Sequence, residues 1–221
     1  MWAADGGQVI VLVEAFLSNG LGLPTGQRAH AQQRSALVRS GATQAQVAIT
    51  FAAYNVDRCR NLDEQNLCRI YERRPLVCRI YPMEINPHIP LDTGVKQCPP
   101  ESWDTGPQLI LGGKLVDTEL AGLIERSRQA DREEIGTKER ICTALGIHTT
   151  ALKGDGFTAY LPDMGAFATA LDSMRNAPVS HPASDWQFHL SSDEVAEQVM
   201  ASGARVTIEV APEYAFISLR G

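Results

Sequence analysis

Residues 9–17 read Val9-Ile10-Val11-Leu12-Val13-Glu14-Ala15-Phe16-Leu17. The aliphatic run Val9 to Val13, continued after Glu14 by Ala15, Phe16 and Leu17, belongs in a core. It fits a strand or one turn of a buried helix, and periodicity does not choose between them. Downstream, Thr25 can cap a helix from about Gly26 to Ser40, with Gly41 as its C-terminal stop. Residues 1–56 are therefore expected to be mainly α-helical. Gln46 to Tyr54 is rich in Val, Ile, Thr, Phe and Ala and leads directly into Cys59.

The chain has 221 residues, 44% hydrophobic and 21% charged, which is ordinary for a globular protein able to bury its own core. A net charge of −6 gives no global field that attracts nucleic acid or an anionic membrane. The longest uncharged stretch, Ser40 to Val56, is too polar to span a bilayer. Asp5 and Glu14 precede the first basic residue, Arg28, so the start lacks the basic region of a signal peptide. The expected compartment is the cytoplasm, where thiols stay reduced and clustered cysteines point to metal or redox chemistry rather than disulfides.

Beyond the cysteine-rich middle, Asp117 starts an amphipathic helix with Leu120, Leu123 and Ile124 on one face, and Thr137 to Leu145 reads as a second helix ending at Gly146. Lys153-Gly154-Asp155-Gly156 is a turn. Phe157 to Leu161 and Trp186 to Leu190 read as strands around a helix from Asp163 to Arg175. Ser191 and Glu194 have capping-box spacing for a helix to about Ser202. Arg205 to Val210 and Tyr214 to Leu219 alternate like strands around Ala211-Pro212-Glu213. The fold class is α+β: a helical N-terminal part, an irregular cysteine-rich metal-binding segment and a C-terminal mixed strand–helix layer. Residues 1–150 form the cysteine-cluster domain with its flanking helices. Residues 151–221 form a C-terminal α+β part, separate from it or packed into the same domain.

Four of the five cysteines, Cys59, Cys68, Cys78 and Cys98, fall within 40 residues, and Cys142 stands apart. The intervals hold eight, nine and nineteen residues, with no Cys-x-x-Cys knuckle of the kind found in zinc ribbons or thioredoxin-like sites. Four thiolates can hold one tetrahedral zinc or one iron–sulfur cluster, since each needs about four soft donors. Buried cysteines acting as small hydrophobes are the competing reading. Two features favour metal. Cys-Arg-Ile-Tyr occurs twice, at 68–71 and 78–81, and Cys59-Arg60 precedes both. Between Arg58 and Arg79, six arginines stand against Asp63, Glu64 and Glu72, a local charge of +3 in an acidic chain. Such cations favour thiolates and offset the charge of a four-thiolate site. Arg69 and Arg79, each beside a cysteine, suit that role best. Six prolines between Pro75 and Pro100 leave little regular structure, apart from a short helix Leu76 to Ile80 that Pro82 would end.

Cys59, then Cys68-Arg69-Ile70-Tyr71, Arg74-Pro75, Cys78-Arg79 and Tyr81-Pro82 resemble a bacterial cysteine-cluster family, the YkgJ-like proteins. Its pattern ends in C-x-I-Y-x-x-R-P-x-x-C-R-x-[YF]-P, and every fixed position from Cys68 to Pro82 agrees. The family's upstream C-x-x-C-x-x-x-C-C block has no counterpart before Cys59. The resemblance covers about 40 residues, Cys59 to Cys98, and implies zinc or iron chelation; flagellin lysine N-methylases are its relatives.

The expected function is therefore a metal-binding protein holding zinc, iron or an iron–sulfur centre through Cys59, Cys68, Cys78 and Cys98. The resemblance alone implies the alternative of an S-adenosylmethionine-dependent protein lysine N-methylase, which no glycine-rich cofactor loop supports. A zinc-stabilised module that binds a protein partner is the third reading. No catalytic residues are assigned. His88, between Pro87 and Pro90, reads as an exposed loop residue rather than a ligand, and Cys142 as core. His181 and His189 are the imidazole donors of the C-terminal part, and neither has a partner at ligand spacing.

Overall fold

The structure, a computed structural model, describes residues 2–3, 5–23, 25–176, 185–207 and 211–219. In chain order its elements begin with β1 (Val9–Leu17), α1 (Arg28–Gln32), β2 (Ala36–Ser40), β3 (Thr43–Ala53), α2 (Leu76–Ile80), β4 (Ile110–Leu111) and β5 (Lys114–Leu115). They continue with α3 (Thr118–Ala144), β6 (Thr149–Leu152), β7 (Gly156–Tyr160), α4 (Met164–Asn176), β8 (Gln187–His189), α5 (Asp193–Ala201), β9 (Val206–Thr207) and β10 (Ala215–Ser218). The α/β mixture is as expected. The chain forms two compact units, residues 1–60 with 134–221, and residues 61–133.

The first unit is built on VIVLVEAFL, which is a strand. β1 pairs antiparallel with β3 along its whole length, from Val9 opposite Ala53 to Leu17 opposite Ala45. Its other edge is shared: Val11 to Val13 meet β7 antiparallel, while Glu14 and Ala15 meet β6 parallel. Pairing on both edges explains why the run is almost continuously apolar, as strands in the middle of a sheet are. From β6 the sheet continues in parallel to β8 and β9, and from β7 in antiparallel to β10. The path β2-β3-β1-β6-β8 closes on itself. Arg39 of β2 bridges Asp185 just ahead of β8, and the Trp186 amide donates to the Arg39 carbonyl at 2.9 Å.

The N-terminal part is thus mostly strand, not helix. Only Arg28–Gln32 is α-helical, and the residues expected to complete that helix form β2 instead. The reason lies in the alternation of Ala36-Leu37-Val38-Arg39-Ser40. Val38 and Ser40 are buried while Leu37 and Arg39 face out, a period-two pattern that a helix cannot bury on one side. Gly41 explains the misreading. It has φ +57°, the conformation that ends a helix and equally the one that turns a hairpin between β2 and β3. A Cβ there would stand 2.7 Å from the Gly203 carbonyl oxygen, so a side chain is excluded by contact as well as by φ.

The main core gathers Val11, Val13, Ala15 and Leu17 of β1, Ala45, Val47 and Ile49 of β3, and Phe188 with Trp186. The expected C-terminal elements are present with shifted ends. β8 and β10 are shorter than expected, β9 is described over Val206–Thr207, and residues 208–210 and His181 lie outside the described residues. The two helices expected over 117–145 are one: Gly136 does not interrupt α3. Ser192, rather than Ser191, caps α5 by accepting from the Val195 amide. Ser191 is otherwise engaged, its amide and hydroxyl both donating to the carboxylate of Asp155, which is fully buried in the turn between β6 and β7. Among the described residues no helix is long and apolar enough to cross a membrane.

His148 gives this unit a pH dependence. Its ring stands edge-on to Trp186, with centroids 5.7 Å apart, and its buried Nδ1 has no hydrogen-bond partner among the described residues. Burial lowers its affinity for a proton, and the neighbouring Glu139 charge opposes this only in part. The unfolded chain then binds a proton that the folded chain disfavours. Stability from this group is present above about pH 6.5, the ordinary histidine value, and is lost as pH falls below it. Thermal unfolding at a series of pH values should show His148→Phe losing less stability on acidification than the parent protein. Identical slopes would refute the assignment.

The second unit has little regular structure. α2, the short hairpin of β4 and β5 and the first part of α3 surround a small cluster of Ile80, Leu120, Leu123 and Ile124, with Leu76, Met83 and Leu115 against it. Pro75 stands at the N-cap of α2 and Asp117 at the start of α3, accepting from the Leu120 amide at 2.9 Å. Elsewhere side chains hold the backbone: the Arg128 guanidinium donates to the Ile85 carbonyl at 2.8 Å.

Candidate metal centre

Each cysteine of the cluster sits in its own local device. Cys59, half-buried, belongs to the first unit and is followed by Arg60, whose amide donates to Asn55 Oδ1 and whose guanidinium lies 5.8 Å from the Trp2 ring centroid. Cys68 follows a tight loop tied by Asp63, whose carboxylate accepts from the Gln65 and Leu67 amides at 2.9 and 2.8 Å. Asn66 takes φ +61° in that loop, a conformation asparagine tolerates better than most residues. The loop brings Cys68 into an isolated antiparallel bridge with Leu62. Cys78 is exposed on α2. Cys98 is half-buried, its Sγ 3.5 Å from the hydroxyl of Tyr81, which also accepts from the Gln97 amide at 2.8 Å.

No disulfide involves the five cysteines. Among the described residues no group of three or more His, Cys, Asp or Glu side chains is gathered for a metal ion. Fit with a metal is therefore judged on donor chemistry. The four clustered thiols all reach the surface at least in part, and arginines adjoin them in sequence. Arg79 lies 3.6 Å from Glu119, an exposed pair that holds its guanidinium near α3 without consuming its charge. Arg74 stacks over Tyr71 at 3.7 Å from the ring centroid and donates to the Tyr71 carbonyl. Soft thiolates beside cations suit zinc, iron or an iron–sulfur centre.

Cys142 differs in every respect. It is 0% exposed, packed among Val11, Ile147 and Trp186 in the main core, and burial pushes its thiol well above the ordinary cysteine range. It behaves as a small hydrophobe. His88 is exposed, and its amide donates to Asn86 Oδ1. His189 is buried in the first unit, with Nδ1 2.8 Å from the Tyr214 hydroxyl and its ring stacked on Phe216.

Tyr71 and Tyr81, the matching tyrosines of the repeated Cys-Arg-Ile-Tyr, are both exposed and each has a specific contact. The Tyr81 phenol is held above its ordinary pKa, chiefly by its hydrogen bond to Cys98. Asp63 ties the loop ahead of Cys68 through two backbone amides. The Asp63 loop has a signal in retrospect, Asp-x-x-Asn with a polar run, whereas the contact of Tyr81 with Cys98 joins residues 17 apart and has none.

Residues 59–98 thus combine partly accessible thiols, arginines and a proline-rich backbone. Residues 24–101 match the family model CxxCxxCC, described as a "Putative zinc- or iron-chelating domain". The match supports metal binding by a cysteine-cluster domain. No curated protein and no solved structure matches the chain.

Proposed function

We propose that this chain binds zinc or iron through thiolates, with Cys59, Cys68, Cys78 and Cys98 as the ligands. The observation that carries the reading is the match of residues 24–101 to a zinc- or iron-chelating domain whose only cysteines in this chain are these four. A four-thiolate zinc is closed and structural, leaving no open position for substrate. Iron or an iron–sulfur centre in the same donors would add one-electron chemistry, tuned by hydrogen bonds to the sulfurs. In either case Arg69 and Arg79 lower the cost of gathering negative sulfur around one cation.

Elemental analysis of freshly purified protein tests this directly. The expected result is zinc or iron at roughly one atom per chain if the site is mononuclear, colourless for zinc and absorbing visible light for iron–sulfur. Protein that carries neither metal, and takes up neither after reduction and reconstitution, would overturn the reading.

A further inference from the structure

Tyr81 and Cys98 form a built contact that the metal-binding reading does not by itself require. Tyr81 follows α2 directly, three residues after Cys78, and Cys98 lies at the end of the loop that begins at Pro82. A phenol has one proton and accepts through its oxygen. The Gln97 amide already donates to that oxygen at 2.8 Å, and Cys98 Sγ stands 3.5 Å away on the same group. The ring beneath is also fixed. Lys96 Nζ lies 5.8 Å from its centroid, and Lys96 is itself paired with Glu84. In the thiol form the S–H donates to the phenol. A thiolate held by a metal could only accept, and the phenol O–H would then be the donor.

We infer that Tyr81 is a positioning residue for Cys98, its hydroxyl fastening the sulfur of the loop cysteine to the end of the helix that carries Cys78. The inference rests on Cys98 being a metal ligand. The loop has no sheet or long helix of its own to aim that sulfur, so the hydroxyl supplies the aim that regular structure would otherwise give. The same hydrogen bond withdraws charge from the sulfur and steadies the metal–thiolate bond.

The test uses the full chain with zinc and, as a spectroscopic probe, cobalt(II). Tyr81→Phe keeps the ring under Lys96 and removes only the hydroxyl. Competition with a chelator should show zinc bound about 10-fold more weakly, the lower end of what loss of a ligand's hydrogen-bond partner costs. The cobalt–thiolate charge-transfer band should move to lower energy, because a sulfur without its donor holds its electrons less tightly. Tyr71→Phe, which leaves the ring that stacks under Arg74, should change neither readout. Cys98→Ser separates the two levels of the argument. If it leaves zinc affinity at the parent value, Cys98 is not a ligand and the role of Tyr81 falls with that assignment, while metal binding by the other cysteines stands. If it weakens zinc while Tyr81→Phe keeps parental affinity and an unshifted band, the ligand reading stands and the role of Tyr81 is refuted.

Discussion

Single Cys→Ser changes at Cys59, Cys68, Cys78 and Cys98 should each strip most of the bound metal, whereas Cys142→Ser should leave metal content at the parent level. Serine keeps the size of the side chain but replaces a soft, easily ionised sulfur by a hydroxyl that zinc and iron hold poorly in competition with water. Four-donor structural zinc sites have apparent binding free energies of about 10–16 kcal/mol, so one quarter of that is about 2.5–4 kcal/mol. At ~1.4 kcal/mol per decade, such a loss weakens binding by roughly two to three orders of magnitude. Cys142→Ser acts elsewhere. It puts a hydroxyl in a site that is 0% exposed and apolar, which costs about 1–3 kcal/mol of stability when the hydroxyl finds no partner. Metal per chain and melting temperature, measured on all five variants, should therefore separate into two classes. Equal metal content in all five would refute the ligand assignment. Loss confined to a subset of the four would identify the true donors.

The cysteine segment was the most legible part of the sequence, and the N-terminal part the least, for one physical reason. A family pattern is written locally: the repeated Cys-Arg-Ile-Tyr, the arginines and the prolines carry it wherever the segment lies. The state of VIVLVEAFL is decided by its partners. Its edges are covered by β3, 28 to 44 residues later, and by β6 and β7, more than 130 residues later. An apolar run with both edges covered has no alternation to read. At Gly41 the local signal was correct, a residue needing positive φ, but two structures share that need and the sequence nearby suits both. The capping box at Ser191 failed by one residue because a buried carboxylate, Asp155, claims the first serine. α3 was read as two helices because a break was assumed where Gly136 is simply absorbed. The aim of Cys98 by Tyr81 was illegible because it depends on how a proline-rich loop returns to the helix before it.

That loop leads to the second large expected effect, selective proteolysis of residues 59–100 after a chelator removes the metal. The two units differ greatly in what holds them. The first has a contiguous core in which Trp186, Phe188, Val11, Val13 and Val199 are wholly buried, beneath a sheet that pairs β1 on both edges. The second buries Ile80, Leu120, Leu123 and Ile124, and three of those four come from α3. From Asn61 to Trp103 the backbone is held by short turns, the Asp63 loop, one bridge and α2. Burying a large aliphatic side chain contributes about 1.5–3 kcal/mol, while fixing one residue's backbone costs about 1–2 kcal/mol. Few residues between 61 and 103 bury enough to offset that cost, so a cross-link through metal is the term that closes the balance. Limited proteolysis followed by mass spectrometry should place the first cuts after Arg69, Arg73, Arg79 or Lys96 in chelated protein, well before any cut in β1, β3 or α5. Re-adding zinc should restore resistance. Resistance that stays unchanged after metal removal has been verified would show that the segment is ordered by its own contacts, and would reduce the metal to a passenger.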